Sequence, residues 1–330
     1  MLPVLLSFLL LSVSHASVSM SPEKSRPTRH FISTFSQASG ISEDWLSQQF
    51  RNLQLNEQVI SLIQKPYEDK IWGDYERLFI TPKRINGGKS FLKEYAEFLD
   101  YAEKIYGVPK SVIVAILGVE TNYGTNMGNF NALEALATLS FYYAPRNSFF
   151  EDEMKSLLIL AHKKDWDLSK VSGSYAGALG MPQFMPSNVI RYAVSSDQKS
   201  QLDLFHHYKD AVLSVANYLK KHGNWKTNEP IVLPVQNISA GQTEQLNKQF
   251  ENKNIIILDE KTLKLLPKLD DSSVKPGWLI RLKFKDKQHF YYAFSNFKSI
   301  MSYNNSTNYA FAVTYLSAAL HDGTDRLTIK

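Results

Sequence analysis

The sequence predicts a mainly α protein of the α+β class, with a small β-containing unit late in the chain, and three observations predict it. Apolar residues recur at i, i+3, i+4 and i+7 through most of the first two thirds of the chain. Short β-rich runs then gather between Pro230 and Phe294, and helical spacing returns from Asn308. With 330 residues and 44% hydrophobic content the chain is long enough for more than one core.

Leu2 to Val13 is an apolar run too short for a bilayer, which needs about 20 residues. Ser14-His15-Ala16 follows as a small-x-small cleavage pattern, so residues 1–16 read as a secretory signal peptide, with a buried first helix as the competing reading. From Glu43 to Ile63 the spacing of Trp45, Phe50, Leu53, Val59 and Leu62 is helical until Lys65-Pro66 breaks it. Trp72 and Tyr75 form a small helical region before Phe79-Ile80-Thr81-Pro82. The next helix is expected from about Gly88 to Tyr106, ending at Gly107.

Residues 108–124 form the most distinctive stretch. Pro109 suits the first turn of a helix and Gly124 supplies a left-handed stop. Ile113, Ile116, Leu117 and Glu120 share one stripe, while Val112, Ala115 and Val119 make the opposite side apolar too. A carboxylate in such surroundings is disfavoured as an anion by desolvation and by the negative end of the helix dipole. Its pKa, ordinarily ~4.3, is expected to rise toward roughly 6 to 7, where a glutamate can donate a proton at neutral pH. A helix-end glutamate paired with a basic residue fits the pattern equally well, and periodicity leaves both readings open.

After a polar loop, helices are expected around Leu133 to Phe141 and from Phe149 to about Lys164. Ser172 to Gly180 is rich in small residues, and Met181 to Ser187 carries two prolines. Glycines at this density serve close backbone approach, either between helices or onto a ligand. Ala211 to Lys221 is a helix. The β-rich runs are 230–235, 255–258, 278–284 and 289–294, and a helix from Asn308 to His321 closes the chain.

Several chemistries have no support. There is no cysteine, no Gly-x-Ser-x-Gly elbow, no His-Glu-x-x-His and no phosphate or dinucleotide loop. His206-His207 reads as a surface pair rather than a metal site. The net charge of +5 is scattered, which does not point to nucleic acid.

The runs Gly118 to Gly124, Ala135 to Phe141, Gly173 to Ser187 and Ser214 to Tyr218 together resemble the lytic murein transglycosylase B family. The likeness extends from about Trp72 to Leu320 and is strongest from Tyr106 to Trp225. It implies a lysozyme-like catalytic core with a helical domain from both chain ends and a small inserted β-domain. On that plan residues 17–100 begin the α-domain, 101–228 form the core, 229–298 the β-containing domain, and 299–330 complete the α-domain.

Carried over residue by residue, the resemblance implies that Glu120 is the sole catalytic acid/base. Ser174 and Gln183 match cleft-lining residues, Tyr218 a tyrosine close to the acid, and Tyr303, Asn304 and Tyr309 a Tyr-Asn-x-Ser-x-x-Tyr pattern returned to the cleft. Tyr75 and Arg146 match substrate-groove positions, Arg146 being what remains of a pair of arginines. The implied reaction cleaves the β-1,4 bond between N-acetylmuramic acid and N-acetylglucosamine and leaves 1,6-anhydromuramyl ends. No cofactor or metal is expected. The family's calcium loop corresponds to Ser195 to His206, which lacks the turn glycine and carries Lys199 where negative ligands are needed.

The expected setting is the periplasm, for a soluble, non-lipidated monomer acting on peptidoglycan glycan strands, with wall-synthesis proteins as further partners. A hydrolytic muramidase is the nearest alternative, and needs a second carboxylate, for which Glu134 and Asp203 are the candidates. A catalytically silent wall-binding protein is the other.

Overall fold

The computed structural model describes residues 18–65, 71–197, 201–267, 275–285 and 287–321; the signal-peptide reading of residues 1–16 falls outside them. The chain opens with α1 (Arg26–Ser39), capped by Ser25 and stopped by Gly40 in the left-handed region. The region read as helical from Glu43 to Ile63 is two helices, α2 (Glu43–Phe50) and α3 (Glu57–Ile63), because Asn56 caps a new start through its side chain. After α4 (Trp72–Phe79), the single helix expected from Gly88 to Tyr106 is also two, α5 (Pro82–Glu94) and α6 (Ala96–Tyr106). Thr81 caps the first with Pro82 behind it, and Tyr95 breaks out of helical geometry between them.

The helix carrying the buried glutamate is α7 (Lys110–Thr121), with every residue from Ser111 to Val119 buried. Pro109 is its N-cap rather than its first turn, and the stop is Asn122, left-handed at φ 49, with Tyr123 and Gly124 following at φ 61 and 83. Helix α7 lies at the centre of the helical body, packed by α5, α6, α11 (Tyr208–Lys221) and α15 (Thr307–Leu320). Each aliphatic side chain buried there contributes about 1.5–3 kcal/mol.

Between these run β1 (Phe130–Asn131), α8 (Ala132–Tyr142), α9 (Asn147–Lys164), β2 (Ser172–Gly173) and α10 (Pro186–Tyr192). Strands β1 and β2 pair antiparallel, Phe130 opposite Gly173.

The β-rich runs form one antiparallel sheet from β3 (Val232–Pro234), β4 (Ile255–Ile257), β5 (Trp278–Lys283) and β6 (Gln288–Ala293), in the order β3-β6-β5-β4. Pro234 is tolerated because β3 is an edge. The pleat divides the side chains: Ile280, Leu282, Tyr291 and Ala293 join the main core, whereas Leu279, Phe290 and Tyr292 join a second core with Leu246 and Phe250. Those last two belong to α12 (Ala240–Phe250), a helix the β-rich composition hid, although Ser239 and Gln242 form a capping box at its start. The short α13 (Glu260–Leu263) follows it, and α14 (Ser295–Met301) leads into α15.

Candidate active site

Glu120 occupies the last turn of α7, where the helix ends in a Schellman-type pair: the Asn122 amide donates to the Gly118 carbonyl at 3.1 Å, and the Tyr123 amide to Leu117 at 3.0 Å. Thr121, next to the glutamate, donates through Oγ1 to the Met181 carbonyl at 2.9 Å and accepts from the Gly124 amide. The helix end is thereby tied to the segment that carries Gln183.

Helix α15 supplies the partner of the glutamate. Ser306 caps this helix by accepting from the Tyr309 amide at 3.2 Å. The Tyr309 hydroxyl donates to Glu120 Oε1 at 2.5 Å. Burial drives the Glu120 carboxyl up to about 7, with the Tyr309 hydrogen bond opposing it. Among the described residues no cation pairs with Glu120, so the ion-pair reading of the sequence does not hold. Glu120 is half-buried, leaving part of its surface accessible.

Three tyrosines surround the acid. Tyr303 stacks on Tyr309 with ring centroids 6.4 Å apart and meets Tyr218 edge-on at 4.8 Å. The Tyr218 hydroxyl donates to Ser302 O and that of Tyr303 to Pro182 O, each at 2.6 Å. Burial, with the nearby Glu120 charge adding to it, pushes the Tyr218 phenol up to about 12 and those of Tyr303 and Tyr309 well above their usual value. The phenols therefore stay protonated, as hydrogen-bond donors. Tyr75 lies on α4, buried against Phe79 and Trp72. Asn304 sits half-buried in the turn between α14 and α15, next to Tyr303.

Ser174 and Gln183 are held in the glycine-rich stretch. Ser174 Oγ accepts from the amides of Ala176 and Ala178 at 3.2 and 3.0 Å. Gln183 adopts a left-handed backbone, and its side-chain amide donates to the carbonyls of Gly180 and Met127 at 2.9 and 3.1 Å. Gly173 and Gly180 press on loop backbone at Ala178 and Leu204, and Gly177 on the Leu136 side chain of α8. Gly128, at φ +90, lies so close to the Gly173 carbonyl that no side chain fits.

Arg146 is placed differently: it is exposed, and its guanidinium lies over the rings of Phe149 and Phe150 at 4.4 and 5.4 Å, rather than on the tyrosine cluster. Two residues not singled out in the sequence join the cluster. Phe184 packs against both Tyr218 and Tyr303, and Thr121 makes the link to Met181. Their positions beside Gln183 and Glu120 were the available signal.

The second carboxylate required for hydrolysis is not supplied by either candidate. Glu134 accepts from the Asn56 side chain at 3.0 Å, and Asp203 is occupied by the amides of Phe205 and His206. Among the described residues no carboxylate joins Glu120.

Known proteins share this arrangement of elements. The chain is 36% identical over 249 residues to membrane-bound lytic murein transglycosylase B of Escherichia coli K12, a match covering 76% of this chain and 67% of that protein. The Escherichia coli lytic transglycosylase Slt35 in complex with calcium superposes with a TM-score of 0.81 at 30% identity, covering 92% of this chain and 95% of that one. Pseudomonas aeruginosa SltB3 in complex with NAG-NAM-pentapeptide superposes with a TM-score of 0.76 at 28% identity, covering 91% and 81%. The mainly helical, lysozyme-like architecture expected from the sequence is the one found. Residues 24–318 match the transglycosylase SLT domain model, and the chain belongs to that family.

Proposed function

We propose that this chain is a lytic transglycosylase of peptidoglycan that uses Glu120 as its single acid and base. The observation that carries the reading is the half-buried Glu120 carboxyl, raised to about 7 and held by the Tyr309 hydroxyl with no second carboxylate beside it among the described residues. A group with that pKa exists in both protonation states near neutral pH, as one residue serving both steps requires.

In the first step Glu120 gives its proton to the glycosidic oxygen between N-acetylmuramic acid and N-acetylglucosamine, the C1–O bond breaks, and the N-acetylglucosamine side leaves with that proton. The muramic 2-acetamido oxygen supports the electron-poor C1, as in substrate-assisted glycosidases. In the second step the Glu120 carboxylate takes the proton of the muramic C6 hydroxyl, O6 bonds to C1, and the acid is regenerated. No water is consumed. Tyr309 steadies the carboxylate between the steps, while Tyr218 and Tyr303 fix the segments around it.

Ser174 is assigned to the acetamide, Gln183 and Asn304 to sugar hydroxyls, and Tyr75 and Arg146 to the groove. The partner is the glycan strand; the Pseudomonas relative's complex with a NAG-NAM-pentapeptide supports that choice. Export directed by residues 1–16, action in the periplasm as a monomer, and contact with wall-synthesis proteins belong to the same reading. No helix of the described residues is long and apolar enough to cross a membrane. Mass spectrometry of digested peptidoglycan tests the reaction: fragments lighter by one water, with anhydro ends, are expected, and reducing ends would overturn it.

A further inference from the structure

In the connection from α10 to α11, one buried carboxylate gathers the described residues on either side. Asp210, in the first turn of α11, has no exposed surface. Its Oδ1 accepts from the Ser196 amide at 2.8 Å and lies 3.0 Å from His207 Nδ1, and its Oδ2 accepts from the Asp203 amide at 2.9 Å. Asp203 repeats the device one step outward: Oδ1 accepts from the amides of Phe205 and His206 at 2.7 and 3.0 Å, and Oδ2 lies 3.1 Å from His206 Nδ1.

Leu204, held between these carboxylates, accepts through its carbonyl from the Met181 amide at 2.8 Å. Gly180 presses against the same backbone at φ +66, where a side chain would meet the Leu204 oxygen at 2.6 Å. Met181 in turn accepts from Thr121, the neighbour of Glu120, and Gln183 belongs to the same turn, its amide donating to the Gly180 carbonyl. A continuous run of hydrogen bonds therefore joins Asp210 to the end of α7.

The family's calcium does not fit these residues. A calcium ion needs six to eight oxygens whose lone pairs converge on it. Here all four carboxylate oxygens of Asp203 and Asp210 already face nitrogen atoms, two of them in imidazole rings. Among the described residues no group of three acidic or histidine side chains is placed to hold a metal.

We propose that Asp210 is a positioning residue that does without a metal what the ion would do in the loop: it gathers the amides of Ser196 and Asp203 and, through Leu204, fixes the Gly180 to Gln183 turn beside Glu120. The assignment rests on Glu120 as the reacting acid. A turn displaced by about 1 Å costs on the order of a hundredfold in rate, which sets the scale of the effect.

The test combines amide hydrogen exchange with turnover of a soluble glycan fragment. Asp210→Asn places an amide group against backbone donors. It is expected to speed exchange at Ser196, Asp203 and Met181 and to lower kcat roughly tenfold to hundredfold, with a smaller change in KM. Millimolar calcium or a chelator should leave exchange in the unaltered protein as it was. Calcium-induced protection of these amides, or an Asp210→Asn protein with unchanged exchange and turnover, overturns the proposal. If that variant does not fold, His207→Ala decides: faster exchange at Ser196 is expected, and unchanged exchange is contrary. Glu120→Gln separates this from the function itself, since it should stop turnover without altering exchange at the three amides. Turnover surviving Glu120→Gln would remove the acid assignment and leave the exchange result standing on its own.

Discussion

The hydroxyl of Tyr309 donates to Oε1 of Glu120 at 2.5 Å, joining residues 189 positions apart in sequence. The two forces on this carboxyl oppose each other. Burial favours the neutral acid, and the hydrogen bond favours the anion.

Tyr309→Phe removes the opposing force. The Glu120 pKa should move further up, so the alkaline limb of the kcat/KM profile should shift to higher pH. Losing a hydrogen bond to a charged group, about 1.5–3 kcal/mol, corresponds to a roughly tenfold to hundredfold slower reaction. A pH–rate profile of the variant checks both the direction and the size.

Glu120 also links stability to pH. Its folded pKa of about 7 lies above the ordinary 4.5, so between those values the folded state binds more protons than the unfolded state. The stability gained from protonation is complete below pH ~4.5 and is lost as pH rises through ~7. Glu120→Gln carries no such charge. It should match the unaltered protein near pH 4.5 and exceed it by about 3 kcal/mol at pH 8. Denaturant unfolding of both proteins across that range measures the difference.

Glu134→Gln addresses the hydrolytic alternative. Glu134 accepts from Asn56 at the start of α8, and a glutamine keeps an acceptor oxygen there. Stability should change by less than about 0.5 kcal/mol, and digestion should still yield anhydro ends at near the original rate. A switch in product or a collapse in rate would bring the second carboxylate back.

Gly128→Ala tests the seam below Ser174. The alanine would have to keep φ near +90 and force its Cβ into the Gly173 carbonyl. Positive-φ strain alone costs about 1–3 kcal/mol. A lowered unfolding midpoint is expected together with weaker activity, because Gly173 precedes Ser174.

The local features of the site were legible and its closure was not. Helical spacing marked Glu120 as a lone acid in an apolar helix because α7 is buried on all sides. Periodicity could not say that its partner is a tyrosine from α15, since nothing local in the sequence encodes a contact across 189 positions. Ser25 with Pro27 and Ser239 with Gln242 carry start signals for α1 and α12; Phe31, Ile32 and Phe35 give α1 an apolar stripe that was legible and passed unread, whereas α12 offers only Leu246 and Phe250 as buried apolar residues. The helix expected from about Gly88 begins at Pro82, so α5 runs through Asn86-Gly87-Gly88, and the glycines admit the Tyr123 ring beside α7. The four β runs were placed within two residues at each end, because short runs of β-branched and aromatic residues, the mark of strands covered on both faces, are a local signal. Asp210 drew no notice, because its role depends on amides from a loop folded back on it.

The central claim is that one carboxyl does both proton transfers, and Glu120→Gln tests it most directly. Purified peptidoglycan is incubated with each protein and the released anhydromuropeptides are counted, with unfolding measured in parallel at pH 8. A folded, more stable variant that releases none is the predicted result. Anhydromuropeptides released by that variant at the original rate would contradict it.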